Sequence, residues 1–150
     1  SGAYFRALDE ARLPLGHSLR SVDLTGNQIG RLPQALFACR SLQELRLSRN
    51  RLEGRLDHPW AALSELRALD LSDNHVSEVP IGVLECKELS YLNVSNNDIR
   101  TFPPELARCS SLKALLISGN PQRQVPSHVV NAGTGAILEH LAKRAQPGPW

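Results

Sequence analysis

The chain is poor in several things at once. Only 5% of its 150 residues are aromatic, cysteine occurs three times, and 17 basic against 15 acidic side chains leave a net charge of +2. A balance so near neutrality removes any global electrostatic case for nucleic acid or a membrane surface. The apolar stretches are short and broken by polar residues, so none has the length of about 20 residues that a bilayer crossing needs. The opening Ser1-Gly2-Ala3-Tyr4-Phe5-Arg6 lacks the charged-then-apolar layout of a signal peptide. Ser1-Gly2 reads as a cloning remnant, which implies a cut from something longer. An odd number of cysteines, with no terminal cysteine cluster, argues against a disulfide framework and for a reducing compartment. His17, His58, His75, His128 and His140 never pair at metal-ligand spacing, and no C-x-x-C occurs. Gly-rich phosphate loops and a G-x-S-x-G elbow are missing as well. No catalytic residue, metal or cofactor is expected.

What the chain has instead is a period. Asn27, Asn50, Asn74, Asn97 and Asn120 recur at intervals of 23, 24, 23 and 23 residues. Eight, five and three residues before them stand Leu19, Val22, Leu24; Leu42, Leu45, Leu47; Leu66, Leu69, Leu71; Leu89, Leu92, Val94; and Leu112, Leu115, Ile117. The frame L-x-x-L-x-L-x-x-N holds in every unit, and its closing x-L-x alternation predicts a short strand. Ile29, Leu52, Val76 and Ile99 follow two residues after the asparagine. Leu32-Pro33, Val79-Pro80, Phe102-Pro103 and Val125-Pro126 come next, and proline there predicts the turn into an outer segment. The second unit reads Leu56-Asp57 one position late, after Gly54, so an inserted residue and a local convex bulge are expected.

A repeat of this length implies a solenoid whose coils bury leucine columns between them. Trp60 falls in the column of Leu13, Leu36, Val83 and Leu106, and is expected to fill core. Cys39, Cys86 and Cys109 share the column of Leu63 and are expected to act as small buried hydrophobes. The asparagine ladder is expected to be structural: an amide supplies donors and an acceptor to the backbone groups that each turn buries.

The domain is expected to run as one unit through residues 1–150. Tyr4, Phe5, Leu8 and Ala11 predict an N-terminal cap helix over 1–12. Five coils and a partial sixth occupy 13–130. Ile137, Leu138 and Leu141 predict a C-terminal cap helix over 131–145 with Thr134 as its N-cap and Lys143 and Arg144 at its end. Residues 146–150 read as a tail.

The frame quoted above resembles intracellular leucine-rich repeat proteins with a 23-residue, L-P-containing unit, such as those of Sur-8, Scribble and plant Ras-group proteins. The resemblance implies an α/β leucine-rich repeat solenoid with a concave parallel sheet. It also implies ligand binding on that sheet, often to GTPases, phosphatases or scaffold clients.

Positions six, four, two and one before each asparagine are expected to face outward from the concave sheet. Asp23, Arg46 and Asp70 predict an alternating charge ladder across neighbouring strands, with Glu44, Arg49 and Asp73 beside it. Tyr91, Asn93 and Leu116 predict a weakly charged patch with an aromatic anchor. Thr25, Ser48, Ser72, Ser95 and Ser118 read as structural, and the sequon Asn93-Val94-Ser95 as chance. The leading expectation is a non-catalytic, cytoplasmic, monomeric scaffold or adaptor module that holds a protein partner on the concave face. A regulatory or targeting domain of a larger kinase, phosphatase or ligase is the second reading. A component of a cytoskeletal or ciliary assembly is the third.

Overall fold

The computed structural model describes residues 19–145. The cap helix expected over 1–12 and the tail 146–150 lie outside the described residues. Each x-L-x segment forms a three-residue strand: β1 (Ser21–Asp23), β2 (Glu44–Arg46), β4 (Ala68–Asp70), β6 (Tyr91–Asn93) and β7 (Ala114–Leu116). They pair in parallel in the order β1-β2-β4-β6-β7, with Val22, Leu45, Leu69, Leu92 and Leu115 in register. The middle residue of each inner strand points into the coil and is fully buried.

Opposite the sheet, the chain runs through short 3-10 helices at Gln34–Ala38, Trp60–Ala62, Ile81–Glu85 and Pro104–Arg108. A proline precedes each one, which leaves one fewer backbone donor to satisfy at its start. The residue after each helix donates its N–H to a carbonyl three positions back, Leu36, Trp60, Val83 and Leu106 in turn. Between sheet and helices the leucine columns merge into one core along the stack. Trp60 is 1% exposed and its Nε1 donates to the Leu56 carbonyl at 2.9 Å.

The asparagines tie coil to coil. Asn50 Oδ1 accepts from the N–H groups of Asn27 (2.9 Å) and Ile29 (3.0 Å), while its Nδ2 donates to the carbonyls of Leu24 and Leu47. Asn74 repeats the pattern with Leu52 N–H and the carbonyls of Leu47 and Leu71. Asn97 does so with Val76 N–H and the carbonyls of Leu71 and Val94. Asn120 accepts from Asn97 and Ile99 N–H and donates to the Val94 and Ile117 carbonyls. Each amide thus serves its own turn and the preceding coil together.

Four local expectations need correction. The extra residue of the second unit makes no simple bulge. Gly54 takes it up at φ +70°, and β3 (Glu53–Gly54) pairs in parallel with β5 (His75–Val76) on the flank of the stack. The 3-10 helix that follows is correspondingly short. The C-terminal cap is two helices and not one over 131–145. Helix α1 (Ser127–Ala132) and helix α2 (Thr134–Ala145) are parted by Gly133 at φ +107°. Thr134 turns its hydroxyl to the sheet, where Oγ1 accepts the Leu115 N–H at 2.9 Å. Finally, Cys109 is half-buried where Cys39 and Cys86 are buried.

The stack is closed at its C-terminal end by side chains that replace a missing coil. Thr134 Oγ1 serves β7, and Gln124 Oε1 accepts the Phe102 N–H at 2.6 Å, where a further coil would have offered carbonyls. Ile137 and Leu141 of α2 then cover the last apolar rung.

Replacing Asn74 by alanine removes a bridge to Leu52 N–H and two coil carbonyls and leaves buried polar groups unpaired. Urea unfolding is expected to show a loss of about 2–4 kcal/mol; a loss below about 1 kcal/mol would show that water replaces the amide. His58 stacks on Phe37 at 5.0 Å. Burial, with Arg31 nearby, holds its imidazole below the ordinary value of 6.5 despite Asp57. The unfolded chain therefore binds a proton that the fold does not, and this component of stability is lost as pH falls below 6.5. His58→Gln is expected to flatten the stability slope between pH 7.5 and 5.5, and an unchanged slope would refute the assignment.

Candidate concave interaction face

The strand register sets the outward side chains in two rows. One runs Asp23, Arg46, Asp70, Asn93, Leu116 and the other Ser21, Glu44, Ala68, Tyr91, Ala114. Parallel neighbours are spaced about 4.8 Å apart, so each row is a line of adjacent groups. Members of both rows are exposed or half-buried, in contrast to the buried residues between them.

The first row is held by the serine and threonine column behind it. Asp23 Oδ1 accepts from the Thr25 N–H (3.1 Å) and hydroxyl (2.6 Å). Asp70 Oδ1 accepts likewise from Ser72 at 3.0 and 2.7 Å, and Asn93 Oδ1 from the Ser95 N–H at 3.0 Å. These bonds close the strand ends and fix the carboxylate directions. Thr25, chiefly through its hydroxyl and then its N–H, holds the Asp23 carboxyl below its usual range against a small burial effect, and Arg46 adds to this. Ser72, expected to face outward, is buried, and its Oγ lies 3.0 Å from that of Ser48.

The charge ladder expected through Asp23, Arg46 and Asp70 is not made by contact. Among the described residues no ion pair joins these three. Arg46 Nη2 approaches Glu44 Oε2 on its own strand at 3.8 Å, both side chains about half exposed. Serine and threonine hydroxyls have claimed one oxygen of each aspartate, and the guanidinium is left facing solvent. Asp23, Thr25, Arg46, Ser48, Arg49 and Asp70 line a shallow open concavity. At the other half of the face, Asn93 Nδ2 donates to the Tyr91 hydroxyl at 3.2 Å, and Leu116 beside it is 41% exposed. Of the eight candidates, Glu44, Arg46, Arg49, Asp70, Tyr91, Asn93 and Leu116 lie along one face, as a charged half and a nearly neutral half, while Asp73 is exposed in the left-handed turn after β4.

Two features escape the column reading. The residue before every asparagine adopts the left-handed conformation: Gly26, Arg49, Asp73, Asn96 and Gly119, with φ between 55° and 74°. Glycine at both ends of that column and asparagine within it were the signal. Arg49 is the costliest occupant, because a long side chain there is strained by about 1 kcal/mol or more. The second feature is Ile81, 63% exposed on the convex side, where other coils carry Gln34 and Pro104.

The remaining chemistry is quiet. Burial raises all three thiols, and Cys86 is pushed up to about 11 by burial, Glu85 and Cys109. The thiols stay protonated near neutral pH, when only a thiolate would be a nucleophile or ligand. Among the described residues no group of three or more His, Cys, Asp or Glu could hold a metal ion, and no helix is long and apolar enough to cross a membrane.

This geometry has counterparts. The leucine rich repeat family signature matches residues 17–76 and 64–121. The chain belongs to the leucine-rich repeat family. Podocan-like protein 1 of Mus musculus is 46% identical over 65 residues, 43% of this chain and 11% of that protein. Leucine-rich repeat serine/threonine-protein kinase 1 of Mus musculus is 34% identical over 127 residues, 68% of this chain and 6% of that protein. The chain thus spans a small part of these curated relatives. Among solved structures, the Leptospira interrogans LRR protein LIC12759 superposes with a TM-score of 0.66 at 34% identity, covering 73% of this chain and 28% of that one. The BIR3–SERK2 complex from Arabidopsis thaliana contains a chain with a TM-score of 0.59 at 37% identity, covering 66% and 55%. The LRR ectodomain of the receptor kinase SOBIR1 from Arabidopsis thaliana gives 0.61 at 30%, covering 69% and 58%. Leucine-rich repeat domains are in general protein-interaction modules.

Arg49→Gly relieves the left-handed strain and is expected to stabilise the domain by about 0.5–1 kcal/mol in chemical denaturation, after the entropic cost of glycine. A destabilised variant would show that the arginine stem packs usefully against the stack.

Proposed function

We propose that the domain is a non-catalytic interaction module that holds a protein partner on its concave sheet and acts as a scaffold or adaptor. The observation that carries this reading is the pair of outward rows, in register over five strands and exposed or half-buried throughout. A surface of that kind offers contact area across several coils, and in repeat proteins the concave side is where such area accumulates. Tyr91 and Leu116 supply the apolar anchor, and Arg46, Arg49, Asp70 and Asp73 supply the polar discrimination. The partner is a protein, with a GTPase, a phosphatase or a scaffold client favoured by the likeness to Sur-8 and Scribble units. The module works as a monomer.

The same reading assigns the domain to the cytoplasm, because three cysteines without a disulfide suit a reducing compartment. The likeness to an ectodomain names the opposing case for that relative. A second reading makes the domain the regulatory part of a larger signalling enzyme, and the match to a serine/threonine-protein kinase that carries leucine-rich repeats favours it. Both readings use the same concave face and differ in what the chain is joined to.

The test compares wild type with Arg46→Glu/Tyr91→Ala/Leu116→Asp in affinity capture from a native lysate at physiological salt. Circular dichroism first establishes that the variant folds. Proteins retained by wild type and lost from the variant are expected, and an identical protein list for both would overturn the concave assignment.

A further inference from the structure

The charged half of the concave face has a composition that selects its partner. The first three coils carry four carboxylates, Asp23, Glu44, Asp70 and Asp73, and two guanidinium groups, Arg46 and Arg49; Asp23, Asp70 and both arginines line one open concavity. Register puts Arg46 directly between Asp23 and Asp70. Oδ1 of each of these aspartates is bonded to Thr25 or Ser72, and among the described residues Oδ2 is left to meet an incoming cation. Among the described residues the one ion pair of Arg46 is a long 3.8 Å contact with Glu44, and Arg49 shares its open concavity. The unsatisfied groups therefore read negative, positive, negative across the first three coils.

Resting on the concave-face reading, we propose that this half recognises a basic protein segment carrying a single carboxylate. The partner carboxylate is bridged by Arg46 and Arg49, and flanking lysine or arginine side chains meet Oδ2 of Asp23 and Asp70. A uniformly acidic segment meets four carboxylates and is repelled, whereas a uniformly basic one sets a like charge against Arg46. Like-charge juxtaposition of this kind rejects wrong partners and complements the attraction that selects the right one. Arg49 belongs to the site for a further reason: the left-handed position would be better filled by glycine or asparagine, as in three of the five coils. Nucleic acid fits poorly, since a phosphate backbone would run along an acid-rich strip.

The experiment selects displayed peptides of about 12 residues, randomised over charged, aromatic and small residues, on the 150-residue chain. The same library is selected on Arg46→Gln/Arg49→Gln and on Tyr91→Ala/Leu116→Asp, each confirmed as folded by circular dichroism. The expected winners carry one Asp or Glu between basic residues and disappear on the arginine variant. For a synthesised winner, changing its acid to the amide is expected to weaken binding to wild type about tenfold. The same change is expected to have almost no effect on the arginine variant, and binding to wild type is expected to weaken as salt rises. Winners of another charge pattern that still need the concave residues would overturn the charge inference and leave the concave reading standing. Winners indifferent to both variants, or no winners, would overturn both.

Discussion

Parallel coils of about two dozen residues can stack only if the polar backbone of each turn finds partners away from water. Every other feature of this domain depends on that constraint. From Asn50 to Asn120 the asparagine at the strand end meets it by reaching across the gap between coils, accepting N–H groups with Oδ1 and donating to carbonyls of both coils through Nδ2. Because the amide serves two coils together, it sets their spacing as well as their turns. The leucine columns then close over a backbone already satisfied, and burial of apolar area supplies the bulk of the driving force.

The ends of such a stack need the same chemistry from different residues. At the C-terminal side, Thr134 and Gln124 side chains stand in for the carbonyls of a coil that is not there. Helix α2 then seals the apolar rung with Ile137 and Leu141. This substitution ends the sheet at β7 and so bounds the concave face. Among the described residues that face is five strands wide, with Leu116 on the last one.

Within the described concave face, a small local interaction shapes the charged half. Hydroxyls two residues beyond Asp23 and Asp70 take one oxygen of each carboxylate and hold it in place. An arginine between two mobile aspartates would be neutralised by them, but between two anchored ones it keeps its hydrogen-bonding capacity. The structural column of serine and threonine thus leaves Arg46, in the neighbouring column, facing solvent. The left-handed backbone before each asparagine adds a second link between fold and surface, since the turn that makes the ladder possible also projects Arg49 and Asp73 at the edge of the face.

The solenoid, the strand positions, the buried columns and the asparagine ladder were all legible in the chain, because a strict period leaves one way to bury the leucines. The outward rows were legible for the same reason: in a strand the face of a residue follows from its parity. Sequence spacing could also place Arg46 between two aspartates, but it could not say whether they would touch. That outcome depended on a competition between a guanidinium across the strand gap and a hydroxyl two residues away, and only the folded geometry, with bonds of 2.6 and 2.7 Å to the hydroxyls, decided it. The split of the C-terminal cap at Gly133, and the turning of Thr134 toward β7, were decided by tertiary structure in the same way. Thr134 opens α2, and its hydroxyl accepts the Leu115 N–H at the sheet edge. The period of the chain determined which residues meet; the contest for each hydrogen bond among them was settled only once the coils were stacked.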